Sequence, residues 1–270
     1  MPSVILADSS VGVDKQQVVS IALIIDDLGN QQTLGERAVD LPGAVTCAFL
    51  PQTPFAWNLA TKAHQLNKEV MLHQPMESDS GKPLGQGALS LNMSKDQFLH
   101  TLELNFLSIP YLVGVNNHMG SLLTRDPTAM GWLMHELHLR GFYFIDSRTT
   151  VATVAERVAA SNYIASARRD VFLDNEPQED KVRRQLEKLV ALAQKRGSAI
   201  GIGHPYPATL SVLREELPKL KQRGIALVPV SQILQDREKI CLHNKDGIKN
   251  TQAIPDSAEP AEHGVSINLK

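Results

Sequence analysis

Short apolar runs alternate with longer segments of helical period along most of this chain. The runs, rich in Val, Ile and Ala, fall at 21–25, 44–49, 70–72, 112–115, 142–145, 170–173, 198–202 and 225–228. Their length and β-branched content predict strands. Between them, "PFAWNLATKAHQLN", "SKDQFLHTLELNFL", "PTAMGWLMHELHLR", "VATVAERVAAS" and "QEDKVRRQLEKLVALAQKR" carry apolar residues three and four apart, the helical spacing. Ser94 opens one such segment as an N-cap and Pro127 another as a first-turn proline. In "LRG-FYFID", "KRG-SAIGIGH" and "QRG-IALVPV" a helix closes on a cation and a glycine before the next strand. Pro218 is placed to kink or split the last of these helices.

Seven or eight βα units in succession predict an α/β protein, either a parallel barrel or an open doubly wound sheet. Polar residues capable of chemistry follow most of the runs: Asp26 and Asp27, His73, Asn117 and His118, Asp146, Asp174 and His204. A barrel brings all those strand ends to one face, which an open sheet does not. The expected organisation is therefore a single (β/α) barrel domain over 19–235. A loose segment, 1–18, precedes it, and a polar tail, 236–270, expected to be disordered, follows.

Composition narrows the field. The 270 residues are 43% hydrophobic and 21% charged, with 27 Lys+Arg against 29 Asp+Glu, and no basic block is present. No nucleic-acid partner is expected. No stretch is long and apolar enough for a membrane span. The start, "MPSVILADSS", has an apolar patch without a basic n-region, so no signal peptide is legible there. Cys47 lies in the apolar "AVTCAFL" and Cys241 in polar sequence, and no disulfide between them is expected.

The run "IALIIDDLG" ends in two adjacent carboxylates, which repel unless a cation lies beside them. Six histidines fall on helical segments or the tail: His64, His100, His135, His138, His243 and His263. "HELH" at 135–138 spaces its histidines by three, where a zinc-protease helix needs four. Trp57 and Trp132 read as core, and Arg168 and Arg169 as a solvated face. His73, His118 and His204 stand apart, each following a strand among turn-formers in "MLHQP", "VNNHMGS" and "GIGHPYP". Asp with two His suits a divalent ion, zinc foremost, with a position left for water, and the second Asp suits a general base. Magnesium with phosphoryl chemistry is the competing use of an Asp pair, but imidazole ligands favour zinc-like ions.

The segments "IALIIDDLG", "EVMLHQPME", "GVNNHMGS", "FYFIDSRT" and "IGIGHPYP" resemble the polysaccharide deacetylases of the NodB-homology type, and more closely the divergent polysaccharide deacetylase family, over about 19–235. The resemblance implies a distorted (β/α) barrel, a divalent metal and hydrolysis of acetyl groups on a carbohydrate. It assigns Asp26 as base, Asp27 as metal ligand and His204 as general acid. Better-known members place a second histidine four residues after the first, where this chain has Glu77. They also carry an Arg-x-x-Pro motif where this chain has "NNHMGS". His73 and His118 are therefore taken as the remaining ligands, with Glu77 the alternative to His118. Glu77, Asn117, Ser121, Asp146 and Arg148 are candidates for substrate contact or support of the site. The resemblance also implies a periplasmic or secreted protein, with the cytoplasm left open. An envelope glycan-binding or scaffold protein that keeps the metal without turnover is the rival reading.

Overall fold

The computed structural model describes residues 18–239. The strands are β1 (Ser20–Leu28), β2 (Thr46–Phe49), β3 (Val70–Met76), β4 (Leu112–Met119), β5 (Tyr143–Asp146), β6 (Ser166–Arg168), β7 (Val171–Phe172), β8 (Ser198–Gly203) and β9 (Ala226–Leu227). The helices are α1 (Gln32–Val39), α2 (Ala56–Gln65), α3 (Lys95–Leu107), α4 (Pro127–Arg140), α5 (Ala155–Ser161), α6 (Glu179–Arg196) and α7 (Pro207–Glu216). Residues up to Leu234 belong to one compact unit, and from Gln235 the described residues are helical through Lys239. That helix runs past Asp236, where the polar tail was expected to begin. Residues 1–17 and 240–270, including His243 and His263, lie outside the described residues.

Every ladder is parallel, in the order β6-β5-β4-β3-β2-β1-β8-β7, with β9 beside the start of β1. β4 and β8 are four ladders apart, which in a flat sheet means about 19 Å. Yet side chains from the ends of both approach Asp27, within 2.9 and 3.8 Å. The sheet is therefore curled into a distorted barrel. Among the described residues no ladder joins β6 to β7, so the curl stays open on that side.

Strand alternation sorts the core into two layers. Ile21, Leu23 and Ile25 face the helices, whereas Ala22 and Ile24 pack inside with Ala48, Met71, Ile145, Ile200 and Ile202. Val230, Ile233 and Leu234, on the helical stretch that begins at Val230, join this inner cluster. Cys47 is buried with a free thiol, pushed up to about 12 by burial. The helix ends follow their sequence signals. Ser94 and Gln97 form a reciprocal capping box, and Asp126 caps α4 with Pro127 at its first turn. Gly141 and Gly224 take the left-handed conformation after their helices, and Pro218 breaks α7 into short 3-10 turns. α1 and β6 were not marked by the pattern. α1 buries only Gly35, Ala38 and Val39, and β6 has three residues with one buried. Among the described residues no helix is long and apolar enough to cross a membrane.

Candidate active site

The alternation that builds the inner layer also aims the site. Counting by twos from the inner residues gives Ala22, Ile24, Asp26 on β1 and Met71, His73 on β3. It likewise gives Ile200, Ile202, His204 from β8 and Asn116, His118 on β4. The side chains at the carboxyl ends of four strands thus share the inner face.

Asp27 breaks this parity, because a regular strand would turn it outward. Between Ile25 and Leu28 the pairing with β2 gains one residue, since Ile25 faces Cys47 and Leu28 faces Phe49. Asp27 sits in this bulge with φ 57°, a left-handed conformation. A bulge of this kind re-aims a side chain, and here it brings the second carboxylate to the histidines. Gly29 follows at φ 118°, and a Cβ there would meet Thr53 Oγ1 at 2.0 Å. Only glycine fits this turn.

Asp27 Oδ1 lies 2.9 Å from His118 Nδ1 and 3.1 Å from His73 Nε2, and the two imidazole nitrogens are 3.1 Å apart. Asp27, His73 and His118 form a three-donor cluster of the kind that holds a metal. Bonds of about 2.0–2.1 Å to a tetrahedral zinc would separate the donors by roughly 3.3 Å. Asp27 Oδ1 is buried and receives no well-directed hydrogen bond, so a lone-pair donor is left facing two others. The donor set and its spacing fit a divalent cation.

His73 and Asp26 are nearly inaccessible and form the floor. Asn116 ties them together: His73 Nδ1 meets its Oδ1 at 2.8 Å, and its Nδ2 donates to Asp26 Oδ1 at 2.7 Å. With Nδ1 held on Asn116 Oδ1, Nε2 is the nitrogen aimed at the cluster, and its lone pair would bind a cation that displaces the ring's second proton. On the other side, His204 Nε2 is 3.8 Å from Asp27 Oδ2, while its Nδ1 meets Asp174 Oδ1 at 2.9 Å. The Asp174 Oδ2 accepts from the His204 backbone N–H and from Thr209 Oγ1 of α7. The Phe172 and Tyr206 rings flank the His204 imidazole, at 5.1 and 5.4 Å.

The charges follow from these contacts. Burial raises the Asp26 carboxyl above its ordinary range, although His73 opposes this. Burial also opposes the charge on Asp27, but the adjoining His118 and His73 imidazoles hold its carboxylate well below the usual range. For His73, burial favours the neutral ring, yet the Asp26 and Asp27 carboxylates outweigh it and push it up to about 9. His204 is raised in the same way, burial being overcome mainly by Asp174.

The remaining candidates lie beside this cluster rather than in it. Glu77 is outside the three-donor group: its Oε2 accepts from Leu91 N at 2.6 Å, and its carbonyl accepts from Leu122 and Leu123. The alternative to His118 is thus engaged by backbone groups of its own turn. Asn117 is buried and fully engaged by backbone, accepting from Ser147 N and donating to Met119 O. Ser121 pairs with Asp79 at the surface. Asp146 accepts the Arg148 backbone N–H at 2.8 Å, and burial raises its carboxyl. Two other expectations are overturned. Trp57 is 56% exposed, because α2 turns it away from the core. Arg169 is half-buried, not solvated: its Nε donates to Ser147 O and its guanidinium covers the Phe172 ring at 4.6 Å. His64, His100, His135 and His138 are exposed, as expected. Asn116 was missed as a site residue, and Asp174, noted after its strand, was given no role. The signal for Asn116 was its even spacing from His118, and for Asp174 its place after a strand.

The sequence profile of divergent polysaccharide deacetylases matches residues 23–234. The uncharacterized protein YibQ of Escherichia coli (strain K12) is 35% identical over 247 residues, 92% of this chain and 76% of that protein. The crystal structure of the uncharacterized protein ATU2773 from Agrobacterium tumefaciens C58 shares the fold with a TM-score of 0.78 at 24% identity, over 81% of this chain and 90% of that one. The peptidoglycan deacetylase PdaC from Bacillus subtilis, solved as a point mutant, gives 0.51 at 15% identity, over 89% and 100%. The chain belongs to the divergent polysaccharide deacetylase family.

Proposed function

We propose that this protein is a metal-dependent hydrolase that removes acetyl groups from a carbohydrate. One observation carries the reading: the Asp27, His73 and His118 cluster lies between two groups able to handle protons, Asp26 on the buried side and His204 on the other. Asp27, His73 and His118 would hold the cation, and their nitrogen-rich donor set favours zinc over magnesium. When bound, a divalent metal supplies Lewis-acid polarisation of the acetyl carbonyl and of the attacking water. Asp26, shielded from bulk water and held at one oxygen by Asn116, accepts the proton that water gives up. His204 is held through Nδ1 by Asp174, which leaves Nε2 to deliver a proton to the departing amine or alkoxide. The two groups divide base and acid work because their surroundings differ. A substrate of this kind also favours a periplasmic or secreted location over the cytoplasm, which cell fractionation tests.

Acetate release from acetylated glycans by the zinc-loaded protein tests the reading, with His204→Ala as the control. Release by the wild type that falls steeply in the variant is the expected result. If metal-loaded wild type binds acetylated glycans but releases no acetate from any of them, the protein is a glycan-binding relative and the hydrolase reading fails.

A further inference from the structure

Two arginines beside the site have no acid matched to them. Arg148 follows β5 at φ 55°, and Asp146 Oδ1 engages its backbone N–H. Arg169 directs Nε to Ser147 O and a terminal nitrogen to Arg148 O, both neutral carbonyls. Neither guanidinium has an ion-pair partner among the described residues. Arg140, Arg183, Arg196 and Arg223, by contrast, each meet a carboxylate.

Both cations belong to the β5–β7 side of the site. Thr149, next to Arg148, donates to Met119 O, immediately after His118. Phe172, under the Arg169 guanidinium, is the ring that flanks His204. The two guanidiniums lie close enough to repel, since after burial the charges acting on Arg169 include Asp26, Asp146 and Arg148. Asp26 already faces His73 and His204, and Asp27 and Asp174 face histidines of their own. Asp170 also acts on Arg169 but is paired with Arg196, so Asp146 is the acid left facing both arginines, and burial favours its neutral form. This side of the site carries surplus positive charge with guanidinium donors still unused, a setting suited to a carboxylate.

We propose that the β5–β7 side of the site binds a carboxylate carried by the sugar, so that the glycan recognised is an acidic, acetylated one. This rests on the deacetylase reading for the acetyl group but not for the acid. The test is calorimetric binding of an O-acetylated tetrauronate and of its methyl ester to the zinc-loaded full chain. The free acid should bind roughly 10-fold or more tightly than the ester, the scale of one charge-assisted hydrogen bond. In Arg148→Gln that preference should collapse, and in Arg148→Glu it should reverse, with metal content unchanged in both. Arg125→Gln, at a surface pair with Asp79, should keep the preference and controls for general charge. Equal binding of acid and ester to wild type, or a preference untouched in both Arg148 variants, overturns the proposal. Acetate release is read separately. Release from acid and ester with equal kcat/KM keeps the deacetylase reading and sinks the acidic specificity. Arg148-dependent binding of the acid without release from either keeps the specificity and sinks the deacetylase reading.

Discussion

The two halves of the site rim are built on different principles. Along β1, β3 and β4, side chain holds side chain: Asn116 bridges His73 and Asp26, and the imidazoles meet Asp27 directly. Along β5 to β7 and at Asn117 on the neighbouring β4, backbone holds side chain: Asn117 binds Ser147 N and Met119 O, Asp146 binds Arg148 N, and Arg169 binds two carbonyls. The first half fixes donors around a point, which demands that each ligand be oriented by a neighbour. The second half fixes the path of the loop after β5 and leaves guanidinium donors free. A change in the first half should therefore disturb chemistry, and a change in the second should disturb loop order or selectivity.

The largest expected effect is on the first half. Asp27→Ala and His73→Ala should each empty the protein of bound metal and abolish turnover, whereas His135→Ala on the exposed face of α4 should do neither. Elemental analysis after dialysis reads this, and full occupancy in both site variants would remove the ligand set. Next comes proton handling. Asp26→Asn and His204→Ala should retain the metal while kcat drops by roughly 10²–10⁴-fold, the range for general acid–base help.

A smaller loss is expected for Asn116→Ala, about 10–100-fold in metal affinity or activity, the scale for a partner that orients a ligand. If it proves as silent as a surface change, the contrast between the halves is lost. Asp174→Asn should act mainly on the pH profile. Asp174 raises the His204 pKa, so its removal lowers it. An acid that must be protonated then fails at lower pH, and the descending limb of kcat/KM should shift toward acid. A limb that stays in place or shifts toward base contradicts His204 as the acid. The smallest effect belongs to Asn117→Ala, which should cost about 1–3 kcal/mol of stability through the unsatisfied Ser147 N–H, with metal content unchanged. Thermal melts beside elemental analysis separate those two quantities.

Much of this arrangement is legible in the sequence for one reason. A strand repeats every two residues, so the apolar runs that mark β1, β3, β4 and β8 also fix which polar residues continue their inner faces. Asp26, His73, His118 and His204 follow directly. Where a strand shrinks to three residues with one buried, as in β6, that signal disappears, and "ASARR" reads as polar surface. Arg169 was misplaced for this reason. Asp27 shows a different limit. Its identity stands out beside Asp26, but its aim depends on a bulge, and no local pattern announces an extra residue opposite β2. Glu77 shows the converse: the resemblance made it a candidate by its place four residues after His73, while its carboxylate closes the turn to Leu91.

The left-handed backbone at Asp27 sets conformation against chemistry at a single position. Glycine would relieve a backbone cost of about 1 kcal/mol there, but it would take away the only carboxylate of the three-donor cluster. Mutation and selection therefore pull in opposite directions at this codon. In a lineage that still depends on the cation, aspartate is retained against the easier residue. In a lineage released from that dependence, glycine or asparagine should accumulate at the equivalent position before the buried His73 and Asp26 are disturbed. Position 27 should thus serve as an evolutionary gauge, separating working members of the family from retired ones.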